Sequence, residues 1–520
     1  MADMVANAVG RQVPTEVNGR PQTPFQGAGR YEPTGRKAAP PIRACHQYGL
    51  DKRAPSLRAA LERVGLRDGM TIGMHHHMRN GDRVAVPLFD TIAEMGIRDI
   101  VFAPSALFPC HEPLIRHIES GVIHHVEGSL NGPLGRFASH GQMPGYGVLR
   151  SHGGRYQAIQ DGELHIDLAI IPAPTADMMG NATGAYGPSA CGSLGFALAD
   201  SQYADQVIVV TDNLVDVPCI PWEIQGMNVD VVVEFDKIGD PEKIVSGTTR
   251  LTRSPTRLLI AEYVADFIEA AGYLGQPFQA GAGGISLASL TFIAERMRAK
   301  GLKAPFARGG STRVLVEMLE EGLIGAILDG QTFDLDAVRS IGTNPRHVPT
   351  TPFTSYNYHG KGNWAPYVST AVLGATEVDL SFQANVVTHS DGYMLHGIGG
   401  WQNTLFGECA ILAFPLFRSR IPIVMREVTT VCAPGELIGA VITERGIAVN
   451  PKHRNGPAIL DRLKGTHLPL VTIEELYEMG RKLCGTPAKP DIDREHPVAV
   501  VKWVDGTVID TIYKVNAAGQ

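Results

Sequence analysis

The chain has 520 residues, 44% hydrophobic and 19% charged, with a formal net charge of -7 and a pI near 6.2. That apolar content is ample for large cores and for two to four domains at about 150 residues each, and the acidic balance argues against nucleic acid, which requires a concentrated basic surface. Seven cysteines (Cys45, Cys110, Cys191, Cys219, Cys409, Cys432 and Cys484) are odd in number and scattered and form no CxxC pair, as expected of reduced thiols in a cytoplasmic protein.

No apolar run reaches the roughly eighteen residues of a membrane span, and the first residues lack the charged-then-apolar pattern of a signal segment. A soluble chain without membrane or targeting elements is expected. Residues 1–44, rich in Pro, Gly, Gln and Arg and without apolar periodicity, read as a flexible N-terminal arm.

Ser56–Val64 has the spacing of a short amphipathic helix. Apolar runs then alternate with helical patterns at Thr71–Met74, Leu88–Met95, Asp99–Ala103, Leu114–Ser120 and Gly121–His125. This rhythm predicts βα units and a mainly parallel sheet. Leu168–Ile171, Val207–Thr211 and Val229–Phe235 are nearly continuous apolar runs of strand length, as in strands covered on both faces.

A helical run over Pro255–Ala271 precedes a second series: Phe278, Phe306, Val314–Gly325, Val378, Val386, Ile411–Leu416, Ile423–Met425, Ile438–Ile442 and Ile447–Val449. The fold class is therefore α/β, with an N-terminal domain over 45–272 and a C-terminal domain over 273–520. Identity between the halves is too weak to define a repeat.

Two glycine-rich stretches carry the chemistry. Gln279-Ala-Gly-Ala-Gly-Gly-Ile-Ser-Leu-Ala288 opens a helix in which Leu287, Leu290, Ile293, Ala294 and Met297 share a face. Glycines ahead of a helix expose unpaired N–H groups at the positive end of its dipole, suited to a phosphate, a carboxylate or an oxyanion. Gly281, Gly283 and Gly284 are the candidate donors; a tight structural turn is the plainer alternative. The second stretch runs from Ala375 to Asn403, where a strand-like ATEVDL leads to Gly397-Ile-Gly-Gly400. Alternation puts Glu377 and Asp379 on the face opposite Val378 and Leu380. Glu377 beside glycine turns is the candidate catalytic carboxylate.

Other motifs read more plainly. His75-His76-His77 sits at a strand end, and three adjacent histidines on an extended backbone cannot all ligate one metal. The sequence contains no HExxH, no Cys/His quartet, no EF-hand loop and no GxxxxGK[ST], so no protein-bound catalytic metal is expected. Ser286 reads as a helix-start residue, Cys191 as a small packed thiol, and Glu444-Arg445-Gly446 as a turn.

Together the Q-x-G-x-G loop and the A-x-E-V-D strand with its G-x-G-G turn resemble the coenzyme A transferase superfamily, as does Asp161–Asn181 in the first half. The nearest likeness is to the citrate lyase alpha subunits. It rests on His75-His76 with Gly81-Asp82, Ser151-His-Gly-Gly154, Ala190–Gly195, Gly239–Ile244, Thr248–Thr252 and Gly446–Pro451, and runs from about residue 45 to 515.

The resemblance implies two transferase-like domains and exchange of acetyl for citryl on a thioester, releasing acetate, by a chain with no covalent cofactor of its own. The thioester would ride on coenzyme A or on the phosphoribosyl-dephospho-coenzyme A arm of a gamma acyl carrier subunit. A beta lyase subunit would then cleave the product, within a homo- and hetero-oligomer. Glu377 would be a nucleophile in the superfamily's ordinary scheme, or a positioning group where the substrate carboxylate attacks directly. Gly397, Gly399, Gly400 and Asn403 would line the pantetheine path, His75 or His76 would serve the substrate, and Arg79, Arg250 and Arg253 are candidate clamps because a tricarboxylate invites guanidinium contacts. A citramalate- or malonate-directed transferase is the first alternative; a sugar-phosphate isomerase or ligand sensor is the second.

Overall fold

The computed structural model describes residues 3–31, 38–40, 51–244, 251–355 and 363–516. Two large sheets organise it. The first contains β1 (Arg53–Ala54), β2 (Thr71–Met74), β3 (Ile100–Pro104), β4 (Ile123–Val126), β5 (Leu168–Pro172), β6 (Gln206–Thr211) and β7 (Val231–Glu234). Its spatial order is β1-β7-β6-β5-β2-β3-β4, and every pairing is parallel.

The second contains β8 (Phe278–Ala280), β9 (Ala307–Ser311), β10 (Ile327–Thr332), β11 (His347–Pro349), β12 (Thr370–Leu373), β13 (Cys409–Ala413), β14 (Ile438–Thr443) and β15 (Gly446–Val449). It is ordered β11-β10-β9-β8-β12-β13-β14-β15, parallel except for the antiparallel β14–β15 pair. The expected α/β class with parallel sheets is what forms. Strands buried on both faces leave little room for polar residues, which is why Leu168–Pro172 and Ile438–Thr443 carry so few.

In both sheets the chain builds outward on one side of a starting strand and then returns to the other side of it. The order switches between β2 and β5 in the first sheet and between β8 and β12 in the second. In open parallel sheets such switch points leave a crevice at the carboxyl ends of the strands. His75–His77 leaves the end of β2, and Gly281–Gly284 leaves the end of β8.

The likeness continues beyond the sheets. Thr175–Asp177 follows β5 and pairs antiparallel with Ala182–Thr183; Glu377–Asp379 follows β12 and pairs antiparallel with Ala384–Asn385. Asp177 Oδ1 accepts the N–H of Met179 (2.9 Å) and of Asn181 (3.1 Å), and Asp379 Oδ1 accepts those of Ser381 (2.8 Å) and Gln383 (3.0 Å). The halves are a structural repeat in which Thr175, facing Thr183, holds the register place of Glu377, facing Asn385.

Alternation along β13 shows how the halves pack. Ile411 and Ala413 face a core shared with the helices Pro255–Ala270 and Gly284–Lys300. Ala410 and Leu412 face the opposite way, into a core continuous with the first sheet. One apolar core therefore spans both halves. Glycine backbones also meet side chains of the other half closely: a Cβ on Gly192 would lie 2.0 Å from Thr332 Oγ1, and one on Gly397 would lie 1.5 Å from Ser129 Oγ.

Residues 3–31 correct the reading of 1–44 as a flexible arm. Met4–Ala6 pairs with Gln12–Pro14, Asn7 donates to the carbonyls of Val508 and Ile509, and buried Phe25 meets Trp503 edge-on at 5.7 Å. Low apolar periodicity hid this, because the segment is held through backbone pairing, one aromatic anchor and the buried Val13 and Val17, which share a small core with Val148, Val500 and Val508. The chain end also crosses the boundary placed at 272: Ile492–Lys502 pairs with Val508–Val515 and, in parallel, with Gly147–Leu149 of the first half. Among the described residues no helix is long and apolar enough to cross a membrane.

Candidate functional site

The two halves meet where the residues that follow β2 reach the end of β10. After Met74 the chain turns through three buried histidines. His76 Nδ1 lies 2.5 Å from Ser105 Oγ, and its Nε2 lies 3.2 Å from Gln331 Oε1 of the second half. An amide oxygen can only accept, so His76 carries its proton on Nε2 and takes the Ser105 hydroxyl at Nδ1. His152 stands 5.1 Å away, ring to ring, and Phe196 packs 5.0 Å from His76 and 4.5 Å from His152.

Burial sets the charge of this cluster, since taking an imidazolium out of water disfavours it. Burial holds His75 and His76 well below the ordinary histidine range, and lowers His77 to about 4 and His152 to about 3. All four are neutral near pH 7. The positive charge comes instead from Arg79, which burial lowers only to about 10. Arg79 has φ 51°, left-handed for a non-glycine residue, and its guanidinium lies 4.7 Å over the Phe333 ring of the second half. A strained backbone presenting a desolvated cation is a common feature of ligand clamps.

Of the two glycine stretches, the Gly397–Gly400 turn reaches the same junction. Gly281 donates its N–H to the Val372 carbonyl at 2.8 Å, so that donor is spent on continuing the sheet. Gly283 is the N-cap of the helix Gly284–Lys300, and the N–H groups of Gly284, Ile285 and Ser286 lie in its first turn, where a helix supplies no acceptor. The Gly397–Gly400 turn caps another helix: Gly399 O accepts the His152 N–H at 2.7 Å, and Asn403 Oδ1 accepts that of Gly153 at 3.1 Å. The second half thus closes the N-terminus of the helix His152–Asp161, whose first residue belongs to the histidine cluster.

Glu377 lies elsewhere. It is fully buried, and its Oε2 accepts the Thr429 N–H (2.7 Å) and Asn385 Nδ2 (2.9 Å), while Oε1 accepts the Thr429 hydroxyl (3.0 Å). Among the described residues it makes no ion pair. Val378 and Asp379 are buried too, so the strand is covered on both faces and its alternation does not separate a wet face from a dry one. Asp379, not Glu377, borders the wide groove of 1280 Å³ along Arg11, Thr429 and Arg494.

The structure therefore gathers His75, His76, Arg79 and the Gly397–Asn403 turn. It adds His152, Ser105, Gln331 and Phe333, which spacing alone did not single out. Gln331 carries no apolar signal, since β10 reads Ile-Leu-Asp-Gly-Gln-Thr and is buried over its polar half. Arg253 is exposed beside the first helix turn, where Thr252 N–H donates to Gly284 O at 3.3 Å, and Arg250 lies outside the described residues. Ligand-type side chains come together at His165, Asp167 and Asp205, on the surface.

A family model described as citrate lyase, alpha subunit (CitF) matches residues 51–515. The chain is 42% identical over 469 residues to the citrate lyase alpha chain of Klebsiella pneumoniae, covering 89% of this chain and 92% of that one. To the Haemophilus influenzae citrate lyase alpha chain it is 40% identical over 485 residues, covering 92% and 96%. The crystal structure of the alpha subunit of citrate lyase from Streptococcus mutans in complex with citrate superposes with a TM-score of 0.94 at 39% identity, covering 98% of this chain and 100% of that chain. A malonate decarboxylase alpha subunit from Acinetobacter baumannii, 16% identical with a TM-score of 0.61 and covering 82% of this chain and 86% of that one, shares the fold.

Two outcomes follow from this geometry. Replacing Glu377 by Ala removes the acceptor of the half-buried Thr429 N–H and hydroxyl and one acceptor of Asn385 Nδ2, which keeps those on Thr388, and empties a fully buried place, at a cost of about 1–3 kcal/mol. Glu377→Ala should therefore lower the melting temperature markedly and turnover with it; a variant as stable as the parent contradicts the buried-pillar reading. Protonation supplies the second. Below about pH 6.5 the unfolded chain protonates histidines that the fold keeps neutral, so each contributes a loss of roughly 1.4 kcal/mol per pH unit as pH falls toward its folded value. Asp510, raised to about 6 by burial, and Glu223, raised to about 7 by burial, act with the opposite sign, while His453, lowered to about 4 by burial, adds to the loss. The melting temperature should fall between pH 6.5 and 4.5, and less steeply in His77→Gln; parallel profiles would contradict the assignment.

Proposed function

The chain belongs to the citrate lyase alpha-subunit family, and we propose that citrate and an acyl thioester exchange partners at the junction of its two halves. It is a CoA-transferase, citrate its acid substrate, and part of the citrate lyase complex. The observation that carries the location is Arg79 beside neutral imidazoles where the two halves meet. A desolvated guanidinium supplies charge to a tricarboxylate, and neutral histidines donate hydrogen bonds without fixing a permanent charge. The citrate bound to the Streptococcus mutans relative supports this choice of ligand.

A carboxylate oxygen of citrate forms a bond to the thioester carbonyl carbon, and the carbonyl electron pair moves to oxygen. The tetrahedral oxyanion collapses by expelling thiolate, leaving a mixed anhydride. Thiolate then attacks the citryl carbonyl and acetate leaves, so citryl takes the place of acetyl on sulfur. The protein's task is to orient the acid and hold the oxyanion. The first-turn N–H groups at Gly284, Ile285 and Ser286 are the donors proposed for it, with Gly283 giving the thioester room to approach.

Glu377 is given a positioning role. Its bonds to Asn385 and Thr429 brace the hairpin behind the Gly397–Gly400 turn, and the substrate carboxylate attacks directly. The thioester is carried on coenzyme A or on a gamma carrier subunit's phosphoribosyl-dephospho-coenzyme A arm, and a beta subunit cleaves the citryl product, in the cytoplasm.

A Cβ on Gly283 would have Ser286 Oγ, at 4.0 Å, as its nearest neighbour, and φ there is -74°. A side chain fits the folded protein but stands where a carbonyl would approach. Gly283→Val should keep the parent's melting temperature while turnover falls by about a hundredfold, the size of effect expected for losing an oxyanion donor. Undiminished turnover would remove the loop from the mechanism.

A further inference from the structure

A small hairpin beside the site has no assigned task. Phe417–Arg418 pairs antiparallel with Ile421–Pro422, and the two loop residues, Ser419 (φ 48°) and Arg420 (φ 68°), both adopt left-handed conformations. Two-residue hairpin loops favour this geometry, but they ordinarily fill it with Asn-Gly or Gly-Gly. Placing an arginine there costs on the order of 1 kcal/mol of backbone strain. The strain holds a cation at the tip, and Phe417 and Ile421 remain exposed at 37% and 43%.

The surroundings are positive. Arg257, at the start of the helix Pro255–Ala270, lies near enough to disfavour charge on Arg418, whose guanidinium burial already lowers below the ordinary arginine range. Arg418 in turn presses on His396, which burial lowers first. Among the described residues Arg257, Arg418 and Arg420 make no ion pair. A pocket of about 120 Å³ beside the hairpin contains Arg418, Ile421 and His389 together with one carboxylate, Asp391, whose Oδ1 accepts the Tyr393 N–H at 3.1 Å. Like charges gathered without counterions favour an external anion.

The hairpin is tied to the reaction centre. Arg418 Nη2 donates to the Ala375 carbonyl at 3.5 Å, and the adjacent Gly374 carbonyl accepts Trp401 Nε1 at 2.9 Å, directly after the Gly397–Gly400 turn. We propose that the hairpin Phe417–Pro422 is a subsite for the nucleotide end of the acyl carrier group, with Arg418, Arg420 and Arg257 holding its diphosphate and Phe417 offering a face for the base. Guanidinium groups bind phosphate oxygens in pairs, and an exposed aromatic face accepts any base. This rests on the transferase reading, and the shared chemistry is a nucleotide diphosphate, whether on free coenzyme A or on a carrier arm.

The test compares coenzyme A with pantetheine, which lacks the nucleotide, by calorimetry on the full chain. Arg418→Ala/Arg420→Ala should weaken coenzyme A about tenfold or more and leave pantetheine within about twofold, the retained pantetheine binding showing that the fold is intact. Arg418→Lys/Arg420→Lys should recover much of the loss. With thioester supplied on a carrier protein, KM should rise in the alanine variant if the arm uses the same subsite. Unchanged coenzyme A affinity in the alanine variant, or equal weakening of coenzyme A and pantetheine, overturns the subsite while a parent that still turns over preserves the function. A parent that neither binds these thiols nor turns over citrate overturns the function and the subsite together.

Discussion

The whole arrangement depends on how closely the carboxyl ends of the two sheets approach each other. At Gly192 against Thr332 and at Gly397 against Ser129 there is no volume for a methyl group. A shared apolar core holds the halves at that distance, and dense packing transmits it without slack. The consequence is chemical. Loops from both halves share one buried region, where water is scarce and a single guanidinium carries more weight than it would at a surface. His76 illustrates the result: one nitrogen is satisfied within its own half by Ser105, the other across the junction by Gln331.

Repetition of the fold makes its asymmetries informative. The halves share a strand order, a switch point, a short hairpin after the returning strand, and an aspartate closing that hairpin's turn. They differ in what leaves the switch: imidazoles and an arginine in one, glycines opening a helix in the other. The division suits a reaction with two partners, one a polyanionic acid and the other a thioester whose carbonyl needs backbone donors. Glu377 stands where the first half has Thr175, and each is tied down by hydrogen bonds. A bracing function common to both halves accounts for that place more simply than a nucleophile does.

Much of the fold was legible in the sequence because parallel strands covered on both faces leave long apolar signatures. Leu168–Pro172 and the helix Gly284–Lys300 with its buried Leu287, Leu290 and Met297 are examples. The repeat was not legible, since T-A-D and E-V-D share only the aspartate and the likeness resides in pairing register. Residues 3–31 were misread because backbone pairing to a distant strand leaves no periodicity. Of the site, the two glycine stretches stood out by residue type, and His76 and Arg79 only through the family resemblance. Gln331 became visible only through a contact across 255 residues of chain, and His152, quoted within the Ser151–Gly154 motif, gained its place beside His76 only from the fold. Glu377 and Asp379 fall on the face opposite Val378, as alternation indicates, but alternation cannot reveal that both faces are covered.

The central claim is that citrate binds at the junction through Arg79. Calorimetric titration of citrate into the parent and into Arg79→Gln, with melting temperatures recorded for both, tests it most directly. The account predicts binding by the parent and a loss of about a hundredfold in the variant at equal stability, the scale expected for removing a desolvated charged partner. Equal citrate affinity in two equally folded proteins would contradict it.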